Sequence, residues 1–344
     1  MRGDRATREL SMAFLRDAER LPRSPEVLVG YRIVGISLRS EGDYISARMH
    51  LEQALSAYEH ELHGSLAFRY GVDSRISCTV YLALTLWPLG EIERAKLLAE
   101  EALAAARATG HIATVAYTLG HVCYLDLLSR DNQRLQSHAK ILVELSREHE
   151  LRMWLAISGF QHGYARWRSG EVDAGEAHMR AGIAANIEQG NKRWLPLFQG
   201  RLAEIEAEAK AIDAALSRIE QALALADETG EHWTDAFLHR LRGEILLKRD
   251  PANTAPAEEA FLTAIAIAQR QKARSFELSA AIKHGTALAR PGQAAASSRT
   301  ARSGLRLVYG RFRHSRSEGG EGVAGGDSGV IIEPSIGPVS RKRK

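Results

Sequence analysis

The sequence predicts an all-α protein: a right-handed α-solenoid of about six helix pairs, followed by a disordered C-terminal tail. The first observation is that small residues recur at matching positions in segments 35–54, 83–102 and 163–182. The second is a helical spacing of apolar residues that continues from about residue 5 to residue 290 and is lost afterwards. A single helix pair cannot bury its apolar face alone, so the copies are expected to stack on one another.

The repeating unit is a pair of helices with a glycine at the turn between them. In its clearest copy the small residues are Gly35, Gly42, Ala47 and Ala54. A small residue on each helix allows the two to pack closely, which is the helix-turn-helix unit of a tetratricopeptide-type repeat. Later spacings of 40 and 42 residues (175 to 215 to 257) exceed the roughly 34 of the standard repeat, so longer helices are expected.

The individual helices follow from the apolar period and from their end signals. Ser24 and Pro25 form the start of one helix, and glycines such as Gly110 and Gly230 end others. Lys210 stands where the turn glycine of its repeat is expected, and residues 61–72 are predicted to be the longest loop within the solenoid. The predicted helices are 5–20, 25–40, 44–60, 73–88, 91–109, 111–129, 133–149, 152–169, 171–189, 194–210, 212–229, 231–248, 255–272 and 274–289.

Composition predicts a soluble, cytoplasmic protein. The chain is 45% hydrophobic and 26% charged, as in ordinary soluble proteins. No continuous run of about 18 apolar residues predicts a membrane span, and the N-terminus has no apolar stretch typical of a secretory signal. The two cysteines, Cys78 and Cys123, are therefore expected to be reduced and buried.

The basic character of the chain belongs to its end. Residues 291–344 carry ten Lys or Arg and four acidic residues, so their net charge exceeds the +4 of the whole chain. The repeat region, residues 1–290, is thus slightly acidic and does not predict a phosphate-binding groove. Residues 291–344 are rich in Gly, Ser and Arg and are predicted to be a disordered basic tail.

Four segments carry a resemblance to a bacterial family. They are 50–73, 85–107, 228–248 and 257–281, and they include SLAFRYG and LHRLRGEILL. The chain resembles the C-terminal tetratricopeptide region of large predicted ATPases, which are often fused to class III adenylate or guanylate cyclase domains or to helix-turn-helix regulators. The resemblance implies a sensing or regulatory part of a signalling protein that binds a protein or peptide.

The catalytic parts of that family are missing here. The sequence has no G-x-x-x-x-G-K-[ST] phosphate loop, so we expect no enzyme activity and no cofactor. One alternative is a regulatory subunit acting in trans on an ATPase or cyclase. Another is nucleic-acid binding through the six arginines of residues 299–316, although short basic runs are more often accidental.

Two short motifs resemble catalytic or metal sites but lack the required context. Residues 326–329 read GDSG, which is a protease nucleophile motif only inside a β-barrel with a His and an Asp partner. His60 and His63 are three residues apart, whereas a helical zinc site needs four. We expect no catalytic residue and no metal ligand in either.

The inner groove of the solenoid is the predicted binding site. In tetratricopeptide units the first helix of each pair lines the concave face, at fixed offsets from its small residue. Aromatic and Arg side chains are the usual anchors of such surfaces, although the tryptophans fit a core position at least as well. The predicted partner-binding residues are Arg32, Arg39, Trp87, Tyr164, Trp167, Arg168, Arg240 and Glu244.

Overall fold

The computed structural model describes residues 3–21, 24–64 and 66–288, and within them sixteen α-helices and one 3-10 turn account for the regular structure. The helices are α1 Gly3–Glu19, α2 Glu26–Ser40, α3 Tyr44–Ser56, α4 His60–His63, α5 Leu66–Tyr70, α6 Ser74–Leu86, α7 Ile92–Thr109, α8 Ile112–Ser129, α9 Asn132–Glu148, α10 Arg152–Arg168, α11 Val172–Glu188, α12 Leu195–Glu208, α13 Ile212–Thr229, α14 Asp235–Arg249, α15 Ala255–Arg270 and α16 Arg274–Leu288. The 3-10 turn, His232–Thr234, directly precedes α14.

The helices form two layers of a solenoid. Six pairs pack side by side along the chain: α2 with α3, α6 with α7, α8 with α9, α10 with α11, α12 with α13 and α14 with α15. The first helices also contact one another, α2 with α6, α6 with α8, α8 with α10, α12 with α14 and α14 with α16. This arrangement confirms the predicted tetratricopeptide-like α-solenoid of six helix pairs.

The turns inside the pairs share one backbone conformation. Gly42, Gly90 and Gly170 have φ values of 84°, 90° and 99°, in the left-handed region that favours glycine. Arg130 and Lys210 take the equivalent turns with φ values of 56° and 66°. The backbone therefore keeps the repeat geometry where the sequence has lost the glycine, at a cost of about 1–2 kcal/mol per residue.

The glycines of α10 and α11 are needed for close packing. A Cβ at Gly175 would lie 2.5 Å from the backbone nitrogen of Trp167, and one at Gly182 would lie 2.6 Å from that of Phe160. Both distances are shorter than real contacts, so the two helices approach along a stripe without side chains. The small-residue positions of the sequence thus mark the helix–helix contact of this repeat.

The segment predicted as a long loop contains two short helices, α4 and α5, so that prediction was wrong in detail. His63 in α4 is buried and stacks on the ring of Tyr58, with ring centres 5.7 Å apart. Its side chain also bonds the backbone of Glu59. Local side-chain contacts have therefore ordered a segment that has no long apolar period.

Among the described residues, no group of three His, Cys, Asp or Glu residues is placed to hold a metal ion. One described helix, α8, is long and apolar enough to cross a membrane, but 72% of it is buried inside the solenoid, as expected of a core helix. Both cysteines are buried and free. The predicted tail, residues 291–344, lies outside the described residues, as do its GDSG motif and its arginines.

Candidate functional site

The eight predicted groove residues separate into two groups. One group lies on α2 and at the end of α6: Arg32, Arg39 and Trp87. The other lies on the last turns of α10 and on α14: Tyr164, Trp167, Arg168, Arg240 and Glu244. The two groups have different surroundings.

The second group belongs to a surface that we call the polar wall. It is built from side chains of α10, α12 and α14 and of the residue that ends α8, and it consists of Arg130, Tyr164, Trp167, Arg168, Arg201, Glu204, Arg240 and Glu244.

Ion pairs hold the polar wall together. Arg201 donates to Glu204 at 2.9 Å and to the carbonyl of Leu127 at 3.0 Å. Arg130 donates to the same Glu204 carboxylate at 2.8 Å. Arg240 pairs with Glu244, whose other oxygen lies 3.0 Å from the ammonium of Lys283. Arg130, Arg201 and Arg240 therefore each have a carboxylate partner.

Aromatic rings pack against the guanidinium groups of the polar wall. The guanidinium carbon of Arg201 lies 4.8 Å from the centre of the Phe237 ring and 5.5 Å from that of Tyr164. Arg240 lies 5.4 Å from the same Phe237 ring. Such cation–π contacts contribute about 0.5–2 kcal/mol each, depending on exposure.

The pKa of Glu204 shows how the charges of the polar wall act on one another. Burial opposes the charge of its carboxylate, but Arg201, Arg130 and Arg240 outweigh it and lower the pKa of Glu204 to about 2. Neighbouring Glu208 shows the opposite effect, because burial and the charge of Glu204 raise its pKa. The wall is thus a fixed array of both signs at neutral pH.

Only some residues of the polar wall are accessible to a ligand. Tyr164 and Arg240 are buried, whereas Arg168 is exposed and Trp167 and Glu244 are half-buried. A ligand on this surface would therefore meet Trp167, Arg168 and Glu244 directly. Tyr164 and Arg240 would act by holding them in place.

Trp87 lies in a contact between repeats far apart in sequence, which we call the seam. In the seam the turns after α2 and α6 pack against the 3-10 turn and the start of α16. Ser275 donates its backbone N–H to Pro88 O at 3.0 Å and its hydroxyl to Trp87 O at 2.6 Å. The Trp87 ring meets Phe276 edge-on at 5.4 Å. With these contacts the Trp87 side chain is half-buried.

A second set of bonds closes the seam at the end of α2. The hydroxyl of Tyr44 donates to Trp233 O at 3.2 Å, across 189 residues of sequence. The amide of Gln271 donates to His232 O at 2.9 Å. The first repeat therefore contacts the sixth, which the sequence did not indicate.

Arg39 lies behind the seam in what we call the aromatic chamber, formed by Tyr81, His121, Tyr124, Trp194 and Trp233. Its guanidinium carbon is 4.5 Å from the centre of the Trp233 ring and 5.0 Å from that of Trp194. Trp194 in turn stacks on Tyr124 at 3.7 Å. Arg39 is 1% exposed, and burial lowers its pKa.

The chamber also holds a buried neutral histidine. The His121 ring meets the hydroxyl of Tyr81 at 3.0 Å and the carbonyl of Tyr117 at 2.7 Å. Burial, together with the charges of Arg193 and Arg39, lowers the pKa of His121 to about 3. This side chain is therefore uncharged at neutral pH.

Sequence reasoning missed several members of both regions. Glu204 stands one residue after the small Ala203, which is the same offset that selected Glu244, so the rule would have found it if applied to α12. Tyr124 has the same offset from Cys123 on α8. Arg193 and Trp233 lie in turns between helices, and no helical offset could have identified them.

Comparisons with known proteins agree with this fold. The Rap protein solved in complex with Competence and Sporulation Factor has a TM-score of 0.57 and 15% identity, over 81% of this chain and 78% of that one. Yeast Tom70 has a TM-score of 0.43 and 14% identity, over 83% of this chain and 51% of its own.

A curated sequence relative is an uncharacterised protein of Rhizobium meliloti (strain 1021), 23% identical over 206 residues. The match covers 60% of this chain and only 20% of that relative, so the chain spans about a fifth of its length. No protein-family model matches the chain. The likeness to the Rap protein therefore shows the fold of the chain, a tetratricopeptide-like helical solenoid.

Proposed function

We propose that this chain is a non-catalytic repeat scaffold that binds a protein or peptide along its first helices. The observation that carries the proposal is the polar wall, where four first helices bring charged and aromatic side chains to one surface. Two of its members, Trp167 and Arg168, remain open to a ligand. Aromatic and Arg side chains are the residues that dominate binding energy at protein interfaces.

The wall is suited to a polar ligand. The charges of Arg130, Arg201 and Arg240 are held by ion pairs before a ligand arrives, so these side chains lose little entropy on binding. The exposed guanidinium of Arg168 can bind a carboxylate through two parallel hydrogen bonds, and the indole of Trp167 supplies adjacent apolar area. The Rap protein, which has the same kind of fold, was solved with a bound factor, and this adds support.

The partner we favour is an ATPase or cyclase module of a signalling protein in the cytoplasm. Support comes from the sequence resemblance to the repeat region of such proteins. The curated relative is also much longer than this chain. In this proposal the solenoid regulates the partner and needs no cofactor or catalytic residue of its own. As a regulatory subunit it would act in trans.

Affinity capture tests this proposal. The tagged full chain is compared with the double variant Trp167→Ala/Arg168→Ala and with Arg147→Ala, an exposed arginine on α9 of the outer layer. We expect the full chain and Arg147→Ala to capture the same protein, identified by mass spectrometry, and the double variant to lose it. Equal capture by all three would contradict a role for the wall.

A second candidate function is nucleic-acid binding through the basic residues of 291–344, which is favoured only by their charge and by Tyr309 and Phe312 among the arginines. Phosphate contacts make affinity fall steeply with salt. Removal of residues 291–344 would then abolish binding of single-stranded RNA in a filter assay. Retention of binding would exclude the tail as its cause.

A further inference from the structure

Helix α2 carries two buried arginines that have no hydrogen-bond or ion-pair partner among the described residues. Arg39 is 1% exposed and Arg32 is 8% exposed. Within the described part of the chain neither makes a hydrogen bond or an ion pair with another residue, and buried nitrogens of both are without an acceptor: Nε of Arg32, and Nε and Nη2 of Arg39.

Such an arrangement is unfavourable for a structural residue. A buried charge is normally paired and hydrogen-bonded, because burial without partners is costly. Arg201 is a buried arginine with acceptors: it is 2% exposed and bonds both Glu204 and Leu127 O, although its Nε also lacks an acceptor. A buried guanidinium that makes no hydrogen bond at all to the described chain points to an acceptor that comes from elsewhere.

The geometry of Arg39 indicates which acceptor. Nε and Nη2 form one edge of the guanidinium, and two parallel N–H groups on one edge match the two oxygens of a carboxylate. The nearby acidic side chain, Glu231, is already engaged: it accepts the backbone N–H of Trp194 at 2.8 Å and lies 3.7 Å from Nε of Arg193. Burial lowers the pKa of Arg39, and the charge of Glu231 partly offsets this effect, so Glu231 attracts Arg39 without satisfying its Nε and Nη2.

A third cation increases the positive charge at this place. Arg193 reaches the Ser40 hydroxyl, next to Arg39, at 3.5 Å, and its side chain is 47% exposed. The hydroxyl of Tyr117, bonded to Ser77 at 2.8 Å, stands on the neighbouring helix α8. Arg39 and Arg193 thus both act on the engaged carboxylate of Glu231, and Arg32 and Arg193 both act on the hydroxyl of Tyr117.

We propose that Arg32 and Arg39 of α2 bind the carboxylates of an acidic segment of the protein partner. This inference rests on the proposed function and names the chemistry of the partner. Seven residues on a helix correspond to two turns, or about 10 Å along the axis, so a single carboxylate cannot reach both arginines. A peptide with several acidic residues spans that distance, and Arg193 adds a third contact.

A ligand can reach the Arg39 guanidinium only if contacts of the seam open. The guanidinium is covered by the rings of Trp194 and Trp233, and the bond from Tyr44 to Trp233 O closes the site from the α3 side. A bound acidic segment would replace these ring contacts. Because both indoles lie against Arg39, binding should change the intrinsic tryptophan fluorescence of the chain.

The test uses the full chain and two labelled peptides of eight residues, one with four Glu and one with Gln in the same positions. Binding is followed by fluorescence anisotropy at low and high salt. We expect the Glu peptide to bind at least about tenfold more tightly than the Gln peptide, with weaker binding at high salt. Arg32→Met and Arg39→Met should each weaken binding about tenfold, as expected for one lost carboxylate contact.

Controls separate binding from folding. Arg147→Met on α9 should bind like the unchanged chain. Arg39→Lys keeps the charge but loses the paired N–H edge, so it should fold normally and still bind more weakly. Circular dichroism and urea unfolding of every variant show that it is folded.

The outcomes distinguish this inference from the proposed function. Equal affinity for the Glu and Gln peptides, or unchanged binding by Arg32→Met and Arg39→Met, overturns the inference. Binding of inorganic phosphate without binding of the Glu peptide also overturns it and assigns a small-anion site. Capture that depends on Trp167 and Arg168 would still support the scaffold in either case, whereas failure of that capture test alone would leave the arginine result standing.

Discussion

Two sets of buried arginines in this solenoid differ in whether they have carboxylate partners. On the polar wall, Arg201 and Arg240 have carboxylate partners and contacts with aromatic rings. On α2, Arg32 and Arg39 have no ion pair or hydrogen bond among the described residues, although Arg39 has rings around it. The first set is explained by stability, while the second is explained only by something that the folded chain does not itself supply.

The largest effect is expected at Arg201. Arg201→Met removes the side-chain donor to Leu127 O and deprives the Glu204 carboxylate of one of its two arginines. Breaking a buried ion pair typically costs about 3–5 kcal/mol in the free energy of unfolding. Urea denaturation measures it, and a loss below about 1 kcal/mol would show that the wall is not a stabilising network.

The aromatic chamber and the polar wall should lose stability in different pH ranges. Burial lowers the pKa of His121 in the aromatic chamber from 6.5 to about 3, so below pH 6.5 the unfolded chain binds a proton that the folded chain does not. Its contribution to stability is complete above pH 6.5 and is lost as the pH falls towards 3. For Glu204, with a pKa lowered from 4.5 to about 2, the loss begins only below pH 4.5.

We therefore expect His121 to account for a loss of roughly 2–3 kcal/mol between pH 6.5 and pH 4.5. Urea unfolding of the unchanged chain, His121→Gln and Glu204→Gln at several pH values measures it. His121→Gln should flatten the upper part of the pH dependence and Glu204→Gln the lower part. Parallel curves for all three would contradict the assignment.

The helix packing beneath the polar wall supplies a third test. Gly175→Leu on α11 would place a side chain against the backbone of Trp167, where even a Cβ is too close. Overpacking of this kind costs about 1–3 kcal/mol. Ala95→Leu on the fully buried face of α7 is the matched change away from the wall, with a similar expected loss. Stability within a few tenths of a kcal/mol of the unchanged chain would mean that the repeat register is misassigned.

The smallest effect is expected at Arg39. Arg39→Met removes cation–π contacts but also a buried charge without partners, so the two effects largely cancel and the free energy of unfolding should change by less than about 1 kcal/mol. The measurement is the same urea titration as for Arg201→Met. A loss as large as that of Arg201→Met would remove the contrast between the two sets and with it the reason to assign a ligand to α2.

The sequence predicted the repeats well because their signals are local. The small residues at Ala47, Ala95 and Gly175 mark helix contacts that the structure confirms, and each was readable within a single pair. Lys210 was recognised as a turn without glycine, and the backbone there does take the left-handed conformation. The short helices α4 and α5 were missed because their order comes from side-chain contacts such as His63 with Tyr58.

The surroundings of the predicted groove residues were much harder to predict. The offset rule assumes an open inner face, yet Arg39 is covered by Trp233 and half-buried Trp87 contacts Phe276, both about 190 residues further along the chain. On the polar wall, where α8 and α12 of non-adjacent pairs also meet, the rule selected Tyr164, Arg168 and Arg240, and these lie in one region. The bonds across the seam depend on the summed curvature of all repeats, and no single repeat encodes it.

The seam also changes how the molecule should unfold. An open solenoid behaves as a linear array, in which terminal repeats fray independently and stability is a sum over neighbours. Here the bonds from Ser275 to Trp87 and from Tyr44 to Trp233 join an early repeat to a late one. Early and late repeats are thus joined directly, so loss of α16 would also expose Trp87 at the end of α6. Amide hydrogen exchange should therefore show early and late repeats opening as one cooperative unit, with the outer helices of the middle repeats exchanging separately.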